Sequence, residues 1–259
     1  MKKKYGEIYL LPSFFSLSNV FFGFMSILSS FRGRYSLAAF WIIMAAVMDG
    51  LDGIIARSSG AQSEFGVQLD SLADTFSFAG APSVLLYFWG MHAAGSVGVF
   101  FSFVFLASGI LRLARYNILQ KTQKSRRHYA GLTVPSASLF MASLVLFHPQ
   151  PLGTKFSAFL LASAIVVVSV FMVSTIRYRN YLSFNLRQKV NLTTGLLIAI
   201  GIASLIFFPH ICLLAFFTFI VLSGPANLLF NLLRKKIQKK SKPERIHPKS
   251  PVEEKGSGL

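Results

Sequence analysis

Charge is scarce in this chain, and cysteine is almost absent. Lys, Arg, Asp and Glu make up 14% of 259 residues, where soluble domains carry about 25%, so a fully water-exposed globular surface is excluded. The single Cys212 excludes a disulfide scaffold. Acidic residues number nine against 26 basic ones, which leaves a net charge of +17. No fixed-period repeat and no soluble second domain stand out. What is present is apolar: 53% of the chain is hydrophobic and Phe alone occurs 27 times. A mean hydropathy of +0.57 excludes a disordered chain. Apolar stretches near 20 residues recur, which defines an all-α, polytopic integral membrane protein.

About eight transmembrane helices are predicted, at Leu11–Phe31, Tyr35–Ile55, Phe65–Trp89, Ala93–Leu113, Val134–Phe147, Phe156–Ile176, Leu192–Phe208 and Ile211–Leu233. The third reads as broken at Gly80-Ala81-Pro82, and the fifth is short. Lys and Arg between the segments divide 23 to three, the minority being Arg32, Arg34 and Lys155. The positive-inside rule then puts both termini in the cytoplasm. Met1-Lys2-Lys3-Lys4 before an apolar run resembles a signal peptide, but the run is too long and lacks a cleavage site, so it reads as a retained first helix. Two parts follow: a membrane-embedded unit over 1–233 and a basic cytoplasmic tail over 234–259, whose Lys, Pro and Ser content reads as disordered.

The few acidic residues are unevenly placed. Five of the nine, Asp49, Asp52, Glu64, Asp70 and Asp74, fall in one 26-residue window. Four lie in or beside apolar helices, where an ionised carboxylate costs several kcal/mol unless something pairs with it. Asp49 and Asp52 are three apart and Asp70 and Asp74 four apart, so each pair shares a helix face. The turn through Arg57-Ser58-Ser59-Gly60-Ala61-Gln62-Ser63 brings the two faces together, with Arg57 as the only counter-charge expected nearby. Carboxylates this close need cations to stay ionised. Hard divalent ions suit such oxygens, and two metals are an established device for displacement at phosphorus. Charge alone also admits structural pairing with basic residues, or a proton or cation pathway.

The spacing is more specific. Asp49-x2-Asp52-Gly53-x2-Ala56-Arg57-x8-Gly66-x3-Asp70-x3-Asp74 resembles, at each of its eight positions, the signature of the CDP-alcohol phosphotransferases, membrane enzymes that transfer a phosphoryl-linked group from a CDP donor to an alcohol. The resemblance implies that fold. It implies two divalent cations, Mg²⁺ or Mn²⁺, held by Asp49, Asp52 and Asp70 with Asp74 assisting, and Asp74 as the base that deprotonates the acceptor hydroxyl. Gly53 and Gly66 leave room for a nucleotide or a close helix, and Arg57 can donate to the diphosphate. The CDP moiety is accordingly expected against Asp52, Gly53, Ala56, Arg57 and Gly66. A homodimer is implied as well.

The flanks are similar to the serine-accepting branch of that family over most of residues 10–180. Leu11-Pro12 through Ser18-Asn19 to Gly23, Glu64-Phe65-Gly66, Gly109 through Arg112 and Arg115 to Asn117, Tyr129-Ala130-Gly131 through Pro135, and Met172 through Arg177-Tyr178 carry the likeness. Gly80 and Thr133 stand where valine and proline are expected. The implied reaction is CDP-diacylglycerol plus L-serine giving phosphatidylserine and CMP, at a cytoplasmic-facing site in the cell membrane. Other acceptors, glycerol-3-phosphate or inositol phosphate, and an archaeal lipid donor remain open within the family. An ion-coupled transporter is the rival from another class.

Several residues carry two readings. Arg112 and Arg115 either flank a membrane helix in the ordinary way or, with Asn117, bind donor phosphates or the serine carboxylate; Arg177 is alike. Ser18 and Asn19 either contact the cytidine or bond to a neighbouring helix. The five His show no metal-ligand spacing, and Cys212 reads as a small apolar side chain. The basic tail emerges directly from the last helix, so membrane lipid rather than nucleic acid is its expected partner, at about 1 kcal/mol per charge.

Overall fold

The computed structural model describes residues 4–59, 64–122, 129–178 and 209–240. Apart from one two-residue β pair, every element in them is helical. These are α1 (Lys4–Phe31), α2 (Tyr35–Ser59), α3 (Glu64–Asp74), α4 (Ala81–Leu86), α5 (Ser96–Thr122), α6 (Val134–Phe147), α7 (Lys155–Val173) and α8 (Pro209–Lys240). Among the described residues five helices are long and apolar enough to cross a membrane, and α6 is a shorter apolar helix. The predicted segment Leu192–Phe208 lies outside the described residues.

Helix α1 shows why this is a membrane fold. Ser16, Asn19, Gly23, Ser26 and Ser30 form its buried stripe, while Phe14, Leu17, Phe21, Phe24 and Phe31 are exposed. Such a helix is inside-out for water but suits lipid, where small and polar residues mediate helix contact. Gly33, at φ 69°, turns the chain between α1 and α2, and the two helices pack along their length. Buried Ile42, Phe78, Leu85, Leu86, Phe105, Met141 and Ile165 lie in one apolar core spanning several helices.

The predicted break at Gly80-Ala81-Pro82 is not a break. Residues 64–94 are continuously helical, passing through π-helical stretches at Thr75–Gly80 and Tyr87–Met91. A wide turn, with Ala81 N–H bonded to Phe76 O, leads into Pro82 near the start of α4. Pro82 is accommodated there because the i→i−4 ladder is already interrupted by the π turn that precedes it. The tail expectation is also corrected at its start: α8 runs on to Lys240, so residues 234–240 are helical.

Thr133 caps α6, its side chain accepting from Ser136 N–H. A proline at that position has no side-chain oxygen for this bond, which is typically worth about 1 kcal/mol. Tyr129–Ala130 pairs antiparallel with Arg177–Tyr178, and Gly131 N–H donates to Ile176 O at 2.9 Å. Gly131 has φ +81°, and a Cβ there would lie about 2.5 Å from Met172 O. Two separate stretches of the resemblance are thereby joined beside the end of α7.

Candidate active site: a carboxylate group between three helices

Asp49 and Asp52 come from the second half of α2, Asp70 and Asp74 from α3. Three of the four, Asp49, Asp70 and Asp74, each bring one carboxylate oxygen within 4.8 Å of the others. Asp74, implied as an assisting ligand and as the base, belongs to this group. Asp52 stands beside it. It is buried at 6% exposure, and its Oδ2 accepts a 2.6 Å bond from the Ser16 hydroxyl of α1. Asp52 Oδ1 is buried without a hydrogen-bond partner.

Helix α1 reaches the group twice. Asn19, 1% exposed, points its Nδ2 at Asp74 Oδ1 at 3.4 Å, and its own Oδ1 is buried without a partner. Ser18 does not join in, since its hydroxyl donates back to Phe14 O at 2.8 Å. Ser16 was missed in the sequence. The available signal was its spacing, three residues before Asn19 on the same helix face.

The expectation that Arg57 is the only nearby cation is corrected by α5. Arg112 is buried at 8% exposure. Its guanidinium lies 5.4 Å from the centre of the Tyr116 ring, and its charge acts on Asp74. Asn117 Nδ2 donates to Ser71 Oγ at 2.9 Å, which attaches α5 beside Asp70. Arg115 is exposed and donates to Val173 O, at the end of α7, at 3.2 Å. Gly53 and Gly66 are half-buried on α2 and α3. Ala56 and Arg57 continue α2, and Arg177 lies in the β pair, but their side chains lie outside the described ones.

The donor set fits a hard divalent cation. Three carboxylates meet, and two further buried oxygens, Asp52 Oδ1 and Asn19 Oδ1, lack partners. Oxygen-only ligation of this kind suits Mg²⁺, Mn²⁺ or Ca²⁺.

Fold and site together define a multi-pass membrane protein with an acidic, metal-capable centre between its helices. A family model for CDP-alcohol phosphatidyltransferase matches residues 9–176, and the chain belongs to that family. It is 33% identical over 231 residues to a protein of Helicobacter pylori named CDP-diacylglycerol–serine O-phosphatidyltransferase, covering 88% of this chain and 94% of that one. An archaetidylserine synthase of Methanothermobacter thermautotrophicus is 34% identical over 179 residues, 68% of this chain and 72% of its own. A Mycobacterium tuberculosis protein, also named CDP-diacylglycerol–serine O-phosphatidyltransferase, is 32% identical over 175 residues, 66% of this chain and 61% of its own.

Proposed function

We propose that the protein transfers the phosphatidyl group of CDP-diacylglycerol to L-serine, releasing CMP. One observation carries this reading: three of the four signature carboxylates, Asp49, Asp70 and Asp74, meet in one half-buried group, in a chain that matches a relative named for serine transfer over 94% of that relative.

In the reaction, Asp74 takes the proton of the serine hydroxyl. The serine oxygen bonds to the phosphorus that carries the diacylglycerol, and the bond from that phosphorus to the bridging oxygen breaks. CMP leaves with the bridging oxygen. Asp49, Asp52 and Asp70, with Asp74 assisting, would hold two divalent cations, Mg²⁺ or Mn²⁺, whose charge would offset that of the diphosphate and of the departing CMP. Arg112 supplies a fixed positive charge beside Asp74, suited to the serine carboxylate or the lipid phosphate. Gly53, Ala56, Arg57 and Gly66 make the CDP side of the site.

The basic excess on one side of the predicted spans supports a site opening to the cytoplasm, in the cell membrane, with both termini on that face. The acyl chains enter sideways from the lipid. The catalytic unit covers residues 1–233, the basic remainder lies on the anionic membrane surface, and the enzyme acts as a homodimer, as the family resemblance implies.

The test uses purified protein, CDP-diacylglycerol and Mn²⁺, with CMP measured in the presence and absence of serine. Serine-dependent CMP release is the expected result. Metal flux across a vesicle without any nucleotide dependence would instead identify a transporter.

A further inference from the structure

The motif carboxylates all come from α2 and α3, yet among the described residues a short hydrogen bond to one of them comes from α1. The Ser16 hydroxyl is 2.6 Å from Asp52 Oδ2, across 36 positions of sequence, and both residues are buried. A carboxylate has two oxygens and about four lone-pair sites. Ser16 occupies one oxygen and leaves Oδ1 buried without a hydrogen-bond partner. Asp52 is also the motif carboxylate that stands outside the group of three. Its carboxylate plane is therefore set by a bond from another helix.

We propose that Ser16 is a positioning residue: its hydroxyl fixes the rotamer of Asp52 so that Oδ1 is presented to a divalent cation. The inference rests on the metal reading of the site given above and deepens it. Outer hydrogen-bond partners of metal-ligating carboxylates orient the ligand, and their loss typically costs 10–100-fold in affinity. Ser16 does not touch the substrate in this account.

The placement of Ser16 is itself well determined. On the same face of α1, Asn19 O accepts from the Ser77 hydroxyl at 2.9 Å. A Cβ on Gly23 would lie 3.0 Å from Ser77 Cα. Helix α1 is thus seated against the chain just beyond Asp74, with Ser16 one turn from that contact.

The test compares Ser16→Thr and Ser16→Val, a nearly isosteric pair differing in the hydroxyl, with Ser16→Ala. Mn²⁺ binding is followed by electron paramagnetic resonance on monodisperse, detergent-purified protein without substrate. CMP release is then measured as a function of Mn²⁺. The expected result is Ser16→Thr within about threefold of the parent, and Ser16→Val and Ser16→Ala weaker by 10–100-fold in Mn²⁺ affinity. Activity of the two weak variants should recover substantially at high Mn²⁺. Equal affinity of Ser16→Val and the parent would overturn the proposal, as would Ser16→Thr falling together with Ser16→Val. A parent protein that binds no Mn²⁺ at all would overturn the metal reading first, and the role of Ser16 with it.

Discussion

The Ser77 hydroxyl donates to the main-chain carbonyl of Asn19 at 2.9 Å, joining residues 58 positions apart. Ser77 sits in the π-helical stretch that follows Asp74, and Asn19 is the residue whose side chain reaches Asp74. The same stretch touches α5 on another side, where a Cβ on Gly109 would lie 2.7 Å from Ala79 Cβ. Gly23 and Gly109 therefore let α1 and α5 close on the π turn that follows the end of the motif.

Gly23→Ala and Gly109→Ala should both destabilise the protein, by roughly 1–3 kcal/mol as overpacking usually does. Turnover per folded molecule should also fall, because the displaced π turn directly follows Asp74. Thermal unfolding in detergent and CMP release on the same preparation check this. Parent-like stability in both variants would show that the close approaches relax at no cost.

Asp49→Asn, Asp52→Asn and Asp70→Asn should each abolish CMP release by weakening metal binding, and EDTA should stop the parent enzyme. The reason is the meeting of Asp49, Asp70 and Asp74 oxygens in one half-buried group, with the unpartnered Asp52 Oδ1 beside it. Near-normal turnover of any one of the three at saturating metal would contradict the two-metal account.

Asp74 has a separate expected role. Asp74→Asn should bind CDP-diacylglycerol with metal almost as well as the parent, yet lose about 10²–10⁴ in rate, the usual contribution of a general base. Its place among the three clustered carboxylates makes the rival role of plain ligand easy to state. Donor affinity and rate falling together would reject the base assignment.

Arg112 and Arg115, three residues apart on α5, should behave differently. Arg112 is buried and acts on Asp74, whereas Arg115 is exposed and holds the Val173 carbonyl. Arg112→Ala should lower kcat/KM by about 10–100-fold, the scale of a lost charged hydrogen bond. Arg115→Ala should cost a few-fold at most. Steady-state kinetics with serine varied decide it, and the reverse order would place the substrate anion at Arg115.

Much of this was legible in the sequence, because two kinds of signal are local. Apolar run length gave both ends of α6, the end of α1 and the start of α2, but not the start of α1 at Lys4 or the end of α2 at Ser59, which are polar. The i, i+3 and i, i+4 spacing of the aspartates gave the site, since it fixes their helix face. Contacts between helices were not legible. Ser16 is one serine among many on apolar helices, and only the packing of α1 on α2 brings it to Asp52. Sequence left Arg112 and Arg115 with the same two readings, and only the packing of α5 separates them by bringing the charge of Arg112 to Asp74. The helix through Pro82 was hidden because π turns tolerate a proline that reads as a stop signal.

The most direct test of the central claim is a competition between acceptors. Purified protein in liposomes containing CDP-diacylglycerol and Mn²⁺ is given serine, glycerol-3-phosphate and inositol phosphate at equal concentration, and the lipid products are identified by mass. The account predicts phosphatidylserine as the dominant product, with CMP formed in equal amount. Phosphatidylglycerol phosphate or phosphatidylinositol phosphate as the main product, with serine left unused, would contradict it.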